Sequence, residues 1–245
     1  MARIVSSLQW LLLGSCVILW LPVVTVVFLV TASFDPGRYA AGYWFRRVGW
    51  VTAVLIPQWH FRTSGVRVSD PRRPYVVVAN HESYADIFLI SRLPWEMKWL
   101  SKDAIFRVPV MGWMMRMAGD IEVVRSSAAS RTQSLAGIRD RLDRKVSVMV
   151  MPEGTRSRTG DLLPFHGGAF RIAIEKQLPV LPIAVAGTRG CMAPGTLRFT
   201  RAHAEARVLP PVETSGMTVA DVDVLKERVR ALIAAARAEL QRELA

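Results

Sequence analysis

At 245 residues the chain is long enough for one domain of ordinary size plus a small appendage, and too short for two full domains to be the default. A formal net charge of +12 and a pI near 10.7 draw its surface toward polyanions, whether nucleic acid, anionic head groups or phosphorylated substrates. A hydrophobic fraction of 51% and a mean hydropathy of +0.24 are high for a soluble basic protein and favour a membrane surface, while two distant cysteines, Cys16 and Cys191, exclude a disulfide framework.

The run 4–34 carries no charged residue. As a helix rising ~1.5 Å per residue it exceeds the roughly 30 Å hydrocarbon core, so it is long enough to span. Pro22 near its middle removes a backbone hydrogen bond and leaves a single span or a tilted, re-entrant hairpin open. A cleaved signal peptide is the alternative to a retained anchor, but the run is too long for a typical signal core. A second uncharged patch, 48–61, is short for a span. With Trp44, Trp50 and Trp59 around it and Arg46 and Arg47 at its edge, it reads as an interfacial helix, an ordinary core helix being the alternative. Gly, Ser, Asp and Pro interrupt the apolar pattern over 63–73, which divides the chain into an N-terminal membrane-anchoring helical segment, 1–62, and a second unit, 63–245.

Beyond that boundary apolar strand-like runs alternate with amphipathic segments. Strands are expected at 75–78, 97–100, 121–124, 146–150, 180–185 and 206–209, with helices between them. Among the helices, 83–92 follows the first of these strands, 130–145 places Leu135, Ile138 and Leu142 on one face, and 168–176 is shorter. The last, 221–244, carries Leu225, Val229, Leu232, Ala236 and Leu240 on one stripe and is expected to pack on the sheet, with Lys226, Arg230, Arg237 and Arg242 off the stripe. The pattern is that of an α/β fold, a mixed, largely parallel sheet flanked by helices.

The chemistry concentrates after the first strand of that series, in Asn80-His81-Glu82-Ser83-Tyr84-Ala85-Asp86. A neutral imidazole takes a proton from a hydroxyl near physiological pH, and an aspartate on its other ring nitrogen fixes the tautomer. With His81 in the turn and Asp86 about one helical turn further on, the two side chains can meet. A hydrogen-bonded His at a strand end and an exposed helix Asp is the alternative for this block taken alone. A second strand runs into Pro152-Glu153-Gly154-Thr155-Arg156, where Gly154 permits a tight turn exposing peptide N–H groups and Arg156 offers a planar fork suited to phosphate oxygens. There is no Gly-x-Ser-x-Gly elbow, and Ser83 reads as a helix N-cap rather than a nucleophile. His60, His166 and His203 lack a comparable carboxylate neighbour, and no Cys/His spacing suggests a metal site.

Four blocks stand in fixed order: 80–86, Gly119-Asp120-Ile121-Glu122-Val123-Val124-Arg125, Met151-Pro152-Glu153-Gly154-Thr155-Arg156-Ser157, and Leu178-Pro179-Val180-Leu181-Pro182-Ile183-Ala184-Val185. Together they resemble the four motifs of the glycerolipid acyltransferase family, specifically its 1-acylglycerol-3-phosphate (lysophosphatidic acid) acyltransferases, over residues 75–188. The resemblance implies that His81 is the general base, Asp86 its orienting partner, and Arg125 and Arg156 the holders of a substrate phosphate. Glu153, Gly154 and Thr155 would also line the substrate site, and Lys102 occupies the place of a basic phosphate contact. Glu122 stands where an aromatic or small apolar residue is usual, and Gly167 where a basic one is common. Both departures bear on head group or acyl chain rather than on the base.

The reaction so implied is transfer of a fatty acyl group from an acyl thioester, carried by coenzyme A or acyl carrier protein as co-substrate, to the sn-2 hydroxyl of lysophosphatidic acid, with no further cofactor. The oxyanion would meet backbone N–H groups near Gly154 or at the start of the helix containing Ser83. Another lysolipid acceptor is the alternative within the same chemistry. An inactive basic membrane scaffold would explain the anchor and charge but not the four candidate groups, and no nucleic-acid-binding motif accompanies the basic residues. The resemblance also fits an N-terminal membrane-dipping helical pair. Lys and Arg cluster after the apolar run, so the catalytic part is expected on the cytoplasmic face of the cell membrane, in a bacterium the inner membrane.

Overall fold

The computed structural model describes residues 2–123, 128–157, 159–192 and 198–245. Two helices lead the chain, α1 (Ala2–Thr31) and α2 (Tyr39–Leu55), the first running unbroken through Pro22. They pack as an antiparallel pair: Trp20 Nε1 donates to the Trp44 carbonyl at 2.7 Å, and further along Gln9 Nε2 donates to Gln58 Oε1 at 2.5 Å. Val17 and Val24 of α1 meet Phe45 and Val48 of α2.

The patch expected as one interfacial helix over 48–61 is divided. Pro57 clashes with a helical conformation at the residue before it, and Ile56 accordingly turns extended (φ −95°, ψ 100°). The chain then enters a strand, β1 (Trp59–Gly65), with Trp59 and Phe61 buried and His60 and Arg62 exposed, a period of two. Trp44 and Trp50 are exposed on α2 as an interfacial helix requires, whereas Trp59 belongs to the core. The junction drawn at 62/63 falls inside β1.

The remaining strands are β2 (Val76–Ala79), β3 (Met97–Lys102), β4 (Ile121–Val123), β5 (Ser147–Val150), β6 (Val180–Ala186) and β7 (Ala202–Val208). They form one seven-stranded sheet in the order β1-β7-β6-β2-β5-β3-β4. Every pairing is parallel except β6 with β7. The helices between strands are α3 (Ala85–Ile90), α4 (Asp103–Phe106), α5 (Met111–Ala118), α6 (Ala128–Asp143) and α7 (Gly168–Glu175), and α8 (Val222–Leu244) follows the last strand. β7 begins earlier than expected because its polar residues His203 and Glu205 interrupt the apolar run.

Alternation along the strands sorts the core into two layers. Val77, Ala79, Met149, Leu181, Ile183 and Val185 face one side with α3, while Val76, Val78, Val148, Val180, Ala184 and Ala186 face the other with α6, α7 and α8. On α8 the buried stripe is Leu225, Val229, Ile233, Ala236 and Leu240; Leu232, expected there, is exposed, because the 3.6-residue period carries the face to its neighbour. A third cluster joins the N-terminal pair to α5 through Phe106, Met114, Met115 and Ala118.

That junction is also ionic. Lys98 of β3 is fully buried, donating to Glu96 at 2.9 Å and to the Arg38 carbonyl at 2.6 Å, while Arg46 of α2 pairs with Asp120 and lies 3.7 Å from Glu96. Burial pushes the Glu96 carboxyl up and the Lys98 amine down from their ordinary ranges. Gly42 faces this network, where a Cβ would collide with both the Glu96 carboxylate and the Lys98 amine.

Candidate active site

β2 lies at the centre of the sheet, and its exit is set by Asn80. The Asn80 amide donates to the Val185 carbonyl at 2.9 Å and accepts from the Val185 N–H at 2.8 Å, substituting for a strand partner as the ladder with β6 ends. The next residue, His81, therefore leaves the sheet over the edge where β5, β3 and β4 also end, the carboxyl edge of the parallel strands. Ligands of open α/β sheets bind at such edges.

His81 and Asp86 meet as the five-residue spacing predicts, with Nδ1 2.7 Å from Asp86 Oδ2. The same oxygen accepts from the N–H groups of Glu82 at 2.8 Å and Ser83 at 3.1 Å, and Oδ1 accepts from the Thr188 hydroxyl. A fully buried carboxylate holding these donors acts as acceptor toward the ring, which puts the proton on Nδ1 and the lone pair on Nε2. The His81 side chain remains 18% exposed, so the ring is not sealed from solvent.

Ser83 sits one residue before the assigned cap of α3. Its hydroxyl donates to the Met192 carbonyl at 2.8 Å and accepts from the Ala85 N–H at 3.2 Å, so it braces the turn. The N–H groups of Glu82 and Ser83 are engaged by Asp86, so those two are not donors to an oxyanion.

The loop after β5 holds His81 from the other side. Glu153 Oε1 accepts from the His81 N–H at 2.7 Å, Glu153 Oε2 accepts from the Leu163 N–H at 2.9 Å, and the His81 carbonyl accepts from the Ser157 N–H at 3.2 Å. Burial raises the Glu153 carboxyl above its usual range, against the lowering by those two N–H groups. Gly154 takes a positive φ of 66°, and a Cβ there would press on the exposed His166 ring at 3.3 Å. The Arg156 guanidinium rests over the Tyr84 ring, 3.7 Å from its centroid, a cation–π contact that fixes the fork beside the turn carrying His81. Thr155 is exposed next to it.

Lys102 closes β3 at the same edge and is exposed, two strands from β2. Arg125 lies outside the described residues. Glu122 is exposed on β4, its carbonyl accepting from the Ser134 hydroxyl at 3.1 Å. The structure thus brings together His81, Asp86, Glu153 and the 154–156 loop. It adds Thr188, Glu82, Tyr84 and Arg237, which sequence reasoning did not single out. Thr188 stands three residues past the fourth block, at the end of the 75–188 stretch, and could have been noticed there; Arg237 reaches Glu82 at 2.7 Å from 155 residues away, with no local signal.

A histidine backed by a buried aspartate at the carboxyl edge of an α/β sheet, with an arginine fork on the adjoining loop, is an arrangement chemically able to take a proton from a hydroxyl near an anionic group. The chain belongs to the acyltransferase family, whose model matches residues 60–186, just over half of the sequence. It is 35% identical over 162 residues to human 1-acyl-sn-glycerol-3-phosphate acyltransferase alpha, covering 65% of this chain and 57% of that protein. To the Saccharomyces cerevisiae 1-acyl-sn-glycerol-3-phosphate acyltransferase it is 33% identical over 163 residues, covering 65% and 54%. The chain thus spans about half the length of the curated relatives it matches. Its fold is similar to the crystal structure of the 1-acyl-sn-glycerophosphate (LPA) acyltransferase PlsC from Thermotoga maritima, with a TM-score of 0.80 at 22% identity over 98% of each chain.

Proposed function

We propose that the protein transfers a fatty acyl group from an acyl thioester to the sn-2 hydroxyl of 1-acylglycerol 3-phosphate, making phosphatidic acid. The observation that carries this reading is the 2.7 Å contact between His81 Nδ1 and a buried Asp86, which leaves Nε2 as the basic atom. Family membership and the named relatives support the reaction and the acceptor.

In this mechanism Nε2 takes the hydroxyl proton as the oxygen attacks the thioester carbonyl. The imidazolium is stabilised by Asp86, and when the tetrahedral adduct collapses it returns the proton to the departing thiolate. The acceptor phosphate is held by Arg156, a role that the motif resemblance also gives to Arg125 and Lys102. With the Glu82 and Ser83 amides committed to Asp86 and the Gly154 amide donating to the Met151 carbonyl, the oxyanion is left to the N–H groups of Tyr84, Thr155 and Arg156 in this reading. The thiol carrier is coenzyme A or acyl carrier protein.

Membrane association supports a lipid acceptor. Ile4–Thr31 is long and apolar enough to cross a bilayer, with a mean hydropathy of 2.5. Its outer face, including Leu8, Leu11, Ile18, Leu19, Leu29 and Val30, is exposed. Yet α1 is held to the rest of the fold along its length, Ser6 accepting from the Phe199 N–H at 3.2 Å and Val17 and Val24 sharing a buried cluster with Met114 and Met115 of α5. The α1–α2 pair therefore dips into the cytoplasmic leaflet as a docked hairpin in our reading, rather than leaving the domain as a free span. A panel of lysolipids assayed in detergent with both thioester carriers tests the proposal. It predicts fastest transfer to 1-acylglycerol 3-phosphate; a preference for phosphate-free acceptors would move the assignment to another lysolipid.

A further inference from the structure

Glu82 lies between the proposed base and Ser83, and its side chain is almost fully buried. Its Oε1 accepts from Arg237 Nε of α8 at 2.7 Å, and its Oε2 is 3.5 Å from the Thr188 hydroxyl, the same hydroxyl that donates to Asp86. Two buried carboxylates, Glu82 and Asp86, thus flank one threonine. A second Arg237 nitrogen donates to the Gly160 carbonyl, in the loop whose Glu153 and Ser157 grip the His81 backbone. One guanidinium therefore ties together the two loops that hold the histidine, and supplies the positive charge opposite Glu82.

We infer that Arg237 is a positioning residue for the His81–Asp86 pair, acting through Glu82 and Gly160. The inference rests on the reaction proposed above. Without Arg237, Glu82 is left as an uncompensated charge beside Asp86. Its side chain must take up a proton or turn toward water, and turning drags the Glu82 peptide, whose N–H is one of the bonds orienting Asp86. The consequence falls on the chemical step, because neither Arg237 nor Glu82 reaches toward the Arg156 fork or needs to touch either substrate.

The test is steady-state kinetics on the full chain in detergent for Arg237→Gln, Glu82→Gln and the double variant, with melting temperatures. His81→Ala and Glu243→Gln are measured alongside. Glu243, on the same helix as Arg237, accepts from Arg207 of β7 at 2.6 Å, so its loss reports the docking of α8 on the sheet. Losing a charge-assisted hydrogen bond from the positioning loop is expected to lower kcat roughly 10- to 100-fold in Arg237→Gln, with both KM values within about 2-fold. The double variant is expected to regain much of that loss, because no buried charge is left unpaired. If Arg237→Gln keeps parental kcat while His81→Ala is inactive, the inference fails and the reaction stands. Effects in the single variants that simply multiply in the double variant, or a loss of melting temperature matching Glu243→Gln with unchanged kcat, also overturn it. An active His81→Ala overturns the base assignment on which the inference rests. Should Arg237→Gln not fold, Arg237→Lys takes its place: a folded protein with reduced kcat supports the inference, and one with parental kcat overturns it.

Discussion

Replacing Asp86 by Asn changes one charge and almost nothing else. The amide carbonyl can occupy the Oδ2 position and keep the N–H bonds from Glu82 and Ser83, and the Thr188 hydroxyl can rotate to accept where it now donates. What disappears is the negative charge beside Nδ1, 2.7 Å away. At an effective dielectric constant of ~20, a charge pair with centres ~4 Å apart is worth about 4 kcal/mol. Because the imidazole is neutral in the ground state and cationic as the hydroxyl attacks, nearly all of that stabilisation is selective for the transition state. The expected loss is therefore ~10³-fold in kcat, with little change in either KM. Stopped assays of product formation under saturating substrates, with the melting temperature as a check on folding, measure it. Thr188→Val, which removes a hydroxyl but no charge, should cost far less, roughly 10-fold. A folded Asp86→Asn protein within a few-fold of the parent would refute the electrostatic role assigned to Asp86.

Tyr84→Ala removes the ring beneath the Arg156 guanidinium. At an exposed site that contact is worth ~0.5–1 kcal/mol, so KM for the phosphate-bearing acceptor should rise roughly 2- to 5-fold while KM for the thioester stays put; equal effects on both substrates would contradict the placement of the fork. Lys98→Met leaves the fully buried Glu96 with Arg46 at 3.7 Å as its remaining cation, and should cost about 3–5 kcal/mol. Thermal denaturation should show a fall of roughly 6–20 °C, partly reversed by adding Glu96→Gln; no reversal would mean that charge burial is not the cause. Glu153 has a raised carboxyl, so its contribution to stability is present below its ordinary value of 4.5 and is lost as pH rises through the higher folded-state value. Relative to Glu153→Gln, the parent should gain melting temperature on going from neutral to mildly acidic pH, and a constant difference would contradict that sign.

Most of the sheet was legible because its strands are buried on both faces and read as short apolar runs, as in β2, β5 and β6. β1 was hidden for a physical reason. It is an edge strand with only Trp59 and Phe61 buried, it directly follows an apolar helix, and Pro57 is the sole mark of the change. The His81–Asp86 pair was readable because both partners lie within one turn of chain. Thr188 reaches Asp86 from 102 residues away in sequence and Arg237 reaches the neighbouring Glu82 from 155, and contacts of that kind leave no local pattern. Glu153 was expected among substrate ligands from its block, but its oxygens accept from the backbone N–H groups of His81 and Leu163, a use that depends on how two loops meet.

The central claim is that His81 removes the proton from the attacking hydroxyl. Its most direct test is the single-turnover rate of acyl transfer from a pre-bound thioester to 1-acylglycerol 3-phosphate, comparing the parent with His81→Ala of parental melting temperature. General-base catalysis predicts a rate lower by roughly 10²- to 10⁴-fold, with phosphatidic acid as the product in the parent. A His81→Ala protein turning over within a few-fold of the parent, a difference of about 1 kcal/mol or less, would contradict the account.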